Sequence, residues 1–210
     1  MFKKKISRTE TLGMNSFRSS KKTGSSSILP SPFYSKTLTE EQKLLLKQGW
    51  PIHSFDQPVE VTSGLWLSGV AFTSDLPLWC HENGFTHVLN ASGSYAQEMF
   101  YCTNPSDYDF EYMELDIEDT VGYALEPYLP HAYNFIDNGL NNKGKILVHC
   151  IWGQSRSVSC LVYFMMMKWG IKYSQAIRII RKAKPEAKPN TGFTAQLCRL
   201  QFGLRQHKNP

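Results

Sequence analysis

The sequence predicts an α/β fold, a central mixed sheet flanked by helices and preceded by a disordered basic tail. Three observations carry this. Short apolar runs of strand length recur within Val59–Val70, Thr86–Asn90, Phe110–Ile117 and Ile146–Val148, set off by Gly, Pro and charged residues. Longer stretches with apolar residues at helical spacing alternate with them, and several follow the last strand. That strand runs through a small polar loop into a helix apolar nearly all round. The loop therefore lies at a strand's C-terminal end, where such sheets hold their ligands.

Taken in order, residues 1–36 are rich in Lys, Ser and Thr, too polar to bury a core, and are expected to be disordered. Thr39-Glu40-Glu41-Gln42 is a capping-box pattern followed by three Leu, which predicts a short lead-in helix within residues 37–54. Residues 55–205 are expected to form one domain, with 206–210 a C-terminal tail. Val59–Val70 alternates apolar and polar residues around a Gly turn, as a hairpin does. A helix is expected from about Ser74 to Glu82, then the buried strand Thr86–Asn90. Ser92–Tyr108 is polar, contains Gly93 and Pro105, and predicts an irregular connection.

Along Phe110–Ile117, Tyr112, Glu114 and Asp116 alternate with Met113, Leu115 and Ile117, so the acids are expected to face away from the core. Glu118–Gly122 breaks the strand as a loop. Helical spacing resumes over Pro130–Leu140, with Ala132, Phe135, Ile136 and Leu140 on one face. The central helix is expected over Ser157–Trp169 and a further one after Ser174, its cap. Thr191 or Asn190 can cap the final helix, whose stripe is Phe193, Leu197, Leu200 and Leu204.

The net charge of +5 is unevenly held. Residues 1–36 contain eight Lys/Arg against Glu10 alone, a net +7, while the remaining fifteen basic and seventeen acidic residues give −2. The body is thus slightly acidic, which disfavours nucleic acid as its partner. Five Cys, at positions 80, 102, 150, 160 and 198, form no CxxC pair and no metal-like spacing. A reducing, intracellular location, cytoplasmic or nuclear, fits best. No apolar run reaches the length of a membrane span, Phe2 is not a myristoylation site, and QHKNP is no prenylation box, so no membrane insertion or lipid anchor is expected.

The chemistry concentrates at Lys145–Ser157, KILVHCIWGQSRS. Cys150 ends the strand and Arg156 starts the helix six positions on. Amides of the intervening Ile151, Trp152, Gly153, Gln154 and Ser155 can converge as a nest, and the helix N-terminus adds unpaired donors and partial positive charge. Arg156 can bring a planar fork to two oxygens of a tetrahedral dianion. The same positive field favours the thiolate form of Cys150. A thiolate beneath a bound phosphate is a nucleophile aimed at phosphorus. The Cys–Arg spacing alone is weak, but with the strand, Gly153, both Ser and the apolar helix it becomes specific.

This constellation resembles the cysteine-dependent protein phosphatases, whose signature is His-Cys, five residues, Arg, then Ser/Thr. With Trp152 where Ala is usual, the loop looks most like the dual-specificity subfamily. Gly64-Leu65-Trp66-Leu67-Ser68-Gly69, Thr86-His87-Val88-Leu89-Asn90 and Pro189-Asn190-Thr191-Gly192-Phe193 resemble further elements of that family. The resemblance spans about residues 55–205.

It implies a single cysteine-phosphatase domain that hydrolyses phosphotyrosine and phosphoserine/threonine in phosphorylated proteins through a phosphocysteine, without metal or cofactor. Cys150 would be the nucleophile. Arg156 and the amides of 151–155 would hold the phosphate, and Ser157 would donate to the sulfur. Asp119 would be the general acid by alignment of Asp119-Thr120, with Asp116 and Glu118 as neighbours. His149 and Asn190 would support the loop. No segment like the pocket-deepening element of strict phosphotyrosine enzymes is present, which implies a shallower pocket. The loop lacks the Lys of lipid phosphatases in this superfamily. The alternatives are an inactive phosphoprotein-binding module or a phosphatase acting on a lipid or an RNA 5′ end. A likeness to the phosphoserine/threonine/tyrosine-interacting protein favours the binding module, but members of that kind lose the nucleophile, whereas Cys150 is present.

Overall fold

The computed structural model describes residues 17–20, 57–70, 72–73 and 75–206, with 17–20, 99–100 and 202–206 as backbone only. The lead-in helix and most of the tail lie outside the described residues. Within 1–36 only Phe17–Ser20 is described, as strand β1 paired antiparallel with the strand Glu111–Leu115. The hairpin expected from the Gly turn is present as β2 (Val59–Thr62) and β3 (Leu65–Ser68). Helix α1 (Leu76–Glu82) leads to β4 (His87–Asn90), α2 (Ser94–Phe100), β5 (Glu111–Leu115) and α3 (Leu129–Asn141). Then come β6 (Ile146–His149), α4 (Arg156–Trp169), α5 (Tyr173–Ala183) and α6 (Thr191–Gln206). The strand order is β1-β5-β4-β6-β3-β2. The inner strands β5, β4, β6 and β3 run parallel and the two edge strands antiparallel, so the sheet is mixed.

Period-2 alternation sends side chains to two cores. Leu65, Leu67, Leu89, Met113, Leu115, Ile146 and Val148 pack against α3, α4, α5 and α6. On the opposite face Val88, Tyr112 and Leu147 meet Leu76, Cys80 and Ala96 of α1 and α2. Helix α4 lies deepest. Every residue from Ser157 to Val162 is buried, as are Phe164, Met165 and Met166, which is why its sequence is apolar around nearly the whole circumference. It stops at Gly170, whose φ of 63° is left-handed. Among the described residues no helix is long and apolar enough to cross a membrane.

Three local expectations are corrected. Residues 92–108 contain helix α2, and α2 covers the second face of β5. Glu114, expected to face solvent, is therefore buried, with Gln97 donating to its carboxylate and Tyr112 Oη 3.5 Å away. Helix α5 is capped at Lys172 and not at Ser174: the Gln175 side chain accepts the Lys172 N–H at 2.9 Å. Of the two residues expected as the cap of α6, Asn190 serves, its Oδ1 accepting the Phe193 N–H at 2.9 Å.

Phe164 is wholly buried on α4 in the larger core cluster, its ring tilted against that of Tyr133 with centroids 5.6 Å apart. Phe164→Ala is expected to cost about 3–5 kcal/mol of unfolding free energy in a denaturant titration. A loss below about 1 kcal/mol would contradict the packing described.

Candidate active site

Cys150 follows β6, all four of whose residues are buried, and the next five residues fold over the N-terminus of α4. Two backbone bonds pin this loop from outside: Val70 N–H to the Ile151 carbonyl at 3.0 Å, and Lys188 N–H to the Gln154 carbonyl at 2.8 Å. At its apex Gly153 adopts φ 62°, and a Cβ there would stand 2.6 Å from backbone atoms of Ser68 and Gly69. Only glycine fits that approach. Trp152 is exposed, while Ile151, Gly153 and Ser155 are buried.

Cys150 Sγ is buried and accepts a hydrogen bond from Ser157 Oγ at 3.1 Å. Among the described residues no side chain caps α4. Its first-turn N–H groups therefore keep their donor capacity and their share of the helix dipole. Arg156 is only 11% exposed, and its Nε is buried without a hydrogen-bond partner among the described residues. A buried guanidinium donor beside uncapped amides is complemented by the oxygens of an anion.

The carboxylate that reaches this loop belongs to Asp119. Its Oδ1 accepts from Ser155 Oγ at 2.7 Å and from Asn190 Nδ2 at 2.9 Å, and its Oδ2 lies 3.6 Å from Arg156 Nε. Asn190 N–H in turn donates to Ser155 Oγ at 3.0 Å. Two segments remote in sequence thus meet on Ser155: the loop after β5 and the cap of α6. Asp116 remains at the end of β5, where its carbonyl accepts from Tyr123 Oη at 2.6 Å, and Glu118 is exposed.

His149 is fully buried behind the loop, its Nε2 2.8 Å from Tyr101 Oη. Burial, aided by the Arg156 charge, pushes its pKa down to about 3, so the ring is neutral near pH 7. All the residues expected at the site are gathered within this loop and its supports. Tyr101 and Gln196, whose side chains hold His149 and the Asp119 loop, were not anticipated. Tyr101 lies in the stretch expected to be irregular, and Gln196 is a polar residue on a helix with no motif of its own.

Comparison with known proteins bears on this geometry. Residues 69–202 match the family model described as dual specificity phosphatase, catalytic domain. Over 146 residues the chain is 33% identical to dual specificity protein phosphatase 1B of Arabidopsis thaliana, covering 70% of this chain and 83% of that protein. It is also 33% identical over 149 residues to dual specificity protein phosphatase 1 of the same plant, covering 70% and 71%. Among solved structures, the human tyrosine phosphatase-like serine/threonine/tyrosine-interacting protein superimposes with a TM-score of 0.62 at 27% identity, covering 71% of this chain and 98% of that one.

The buried neutral His149 carries a pH consequence. With its folded pKa below the unfolded value, the unfolded chain binds one proton more between about pH 3 and pH 6.5. Stability therefore falls on acidification through that window, by up to about 1.4 kcal/mol per pH unit from this group. His149→Asn is expected to flatten the stability–pH curve below about pH 6 relative to the parent. Parallel curves would contradict the neutral state of the ring.

Proposed function

The chain belongs to the dual specificity phosphatase family, and we propose that it hydrolyses phosphotyrosine and phosphoserine/threonine monoesters in proteins through a phosphocysteine. The observation that carries this reading is the meeting of Asp119 with Ser155 and Arg156 at the mouth of the Cys150 loop. Nucleophile, anion-binding donors and a proton donor on a separate segment then share one site. Phosphoryl transfer asks a protein for little more than that positioning and charge.

In the proposed scheme the Cys150 thiolate forms an S–P bond as the bond to the leaving oxygen breaks. Arg156 and the amides of residues 151–156 hold the three equatorial oxygens, where charge builds in the transition state. Asp119 passes its proton to the leaving oxygen. In the second half a water attacks phosphorus, gives a proton back to Asp119, and the S–P bond breaks. Ser157, bonded to Sγ in the resting site, stabilises the thiolate as it departs. Neutral His149, held by Tyr101, orders the backbone that precedes the nucleophile.

The related human structure is of a phosphatase-like interacting protein. This chain keeps Cys150, Arg156 and Ser157 at the loop, which favours turnover over binding alone.

Purified protein is expected to hydrolyse an aryl phosphate in the presence of a chelator, and Cys150→Ser to abolish turnover while retaining phosphopeptide binding. Activity left intact in that variant would overturn the mechanism. Asp119→Asn is expected to slow phenyl phosphate by about a hundred-fold or more, to spare an ester with a very acidic leaving group, and to flatten the alkaline limb of the turnover–pH profile. Should Glu118→Gln show that pattern instead, Glu118 and not Asp119 would be the acid.

A further inference from the structure

We infer that Gln196 is a positioning residue for this reaction: its amide latches the segment that carries Asp119 and so fixes where that carboxyl meets the Cys150 loop. The inference rests on the reading of Asp119 as the acid. Gln196 Oε1 accepts the Leu125 N–H at 2.8 Å, and its Nε2 donates to the Tyr123 carbonyl at 2.8 Å. The two bonds run in opposite senses to alternate residues of one stretch, so the amide acts as a neighbouring strand's peptide group would. Neither bond survives rotation or retreat of the side chain.

The stretch needs such a latch because, among the described residues, one side of it is open. Residues 122–124, Glu126 and Pro127 line a cleft of about 450 Å³ together with Gln196 and Arg199 of α6. Among the described residues nothing fills that side. The inner side is tightly met. Leu125 is fully buried, and Gly192 of α6 approaches so closely that a Cβ would stand 1.8 Å from the Val121 carbonyl. Tyr123 Oη closes the segment on itself at the Asp116 carbonyl, and Arg199 pairs with Glu126 beyond it.

Asp119 lies between these anchors, and one helix supplies most of them. Asn190 at the head of α6 holds the Asp119 carboxylate, and Gln196, six residues on and about 9 Å along the axis, holds the trailing end. A rigid helix thus measures the position of the carboxyl against the Ser155 that Asn190 also binds. Loss of the latch frees the trailing end without touching the phosphate cradle, so only the step that uses the acid's proton suffers.

The test compares Gln196→Ala, Gln196→Glu, Asp119→Asn and the Asp119→Asn/Gln196→Ala pair. Substrates are phenyl phosphate and dinitrophenyl phosphate, and inhibition by inorganic phosphate reports on the cradle. Gln196→Ala is expected to slow phenyl phosphate about ten-fold or more and dinitrophenyl phosphate by less than about two-fold, with phosphate inhibition unchanged. Gln196→Glu keeps the acceptor for Leu125 and is expected to fall between; it carries the test alone if the Ala variant does not fold. The pair is expected to be no slower on phenyl phosphate than Asp119→Asn. Equal slowing of both substrates, no slowing of either, or a fully additive pair would overturn the role of Gln196. If Asp119→Asn itself lacks leaving-group dependence, the assignment of the acid falls first, and the latch with it.

Discussion

Strand β6 is buried at every position and α4 along most of its length, which leaves the six residues between them little freedom. Their path is fixed at both ends by apolar packing, and close packing resists displacement. Gly153 then lets the loop press onto the backbone of Ser68 and Gly69, and two backbone bonds hold its flanks. The outcome is a nucleophile-type thiol and a helix N-terminus held against one another without any contact between charged side chains being required. Other features of the site are referenced to this loop: Ser157 beneath the sulfur, His149 behind it and Asp119 across its mouth.

A polar site built at the junction of two cores needs its buried groups satisfied. Here the hydroxyls of Ser155 and Ser157 point outward from the start of α4 to Asp119 and Cys150 and do not cap their own helix. Asn190 does two things at once, capping α6 through Oδ1 and binding Asp119 through Nδ2. The buried Arg156 Nε without a hydrogen-bond partner among the described residues sits 3.6 Å from the same carboxylate. In the proposed mechanism a phosphate oxygen meets that donor, and Asp119 is free to face the leaving oxygen.

Strands and helices with strong periodicity were legible in the sequence because a single periodicity governs them. An apolar run such as Ile146–Val148 has nowhere to go but a core, and Ser157–Trp169 is apolar on nearly every face. The loop between them was legible because Cys, Gly, Arg and two Ser fall where a dianion site needs them. Residues whose role depends on what covers them were not. Helix α2 is only seven residues long and mixes apolar with polar side chains, and nothing in SYAQEMF announces that it will roof β5; once it does, Glu114 turns from a solvent-facing acid into a buried one partnered by Gln97. Tyr101 and Gln196 act through partners 48 and 71 to 73 residues away, a separation that local spacing cannot reveal. The cap of α5 failed for a related reason, since the Gln175 side chain reached back and displaced Ser174 from that duty.

In the proposed mechanism phosphorus passes through Cys150 as a covalent intermediate. Rapid acid quench of the protein turning over a phosphotyrosine peptide, followed by digestion and mass spectrometry, reads this directly. A transient phosphate is expected on the Ile146–Arg156 peptide, localised to Cys150, formed and lost at rates consistent with turnover. Turnover with no phosphate on that peptide at any quench time, or with phosphate on another residue, would contradict it.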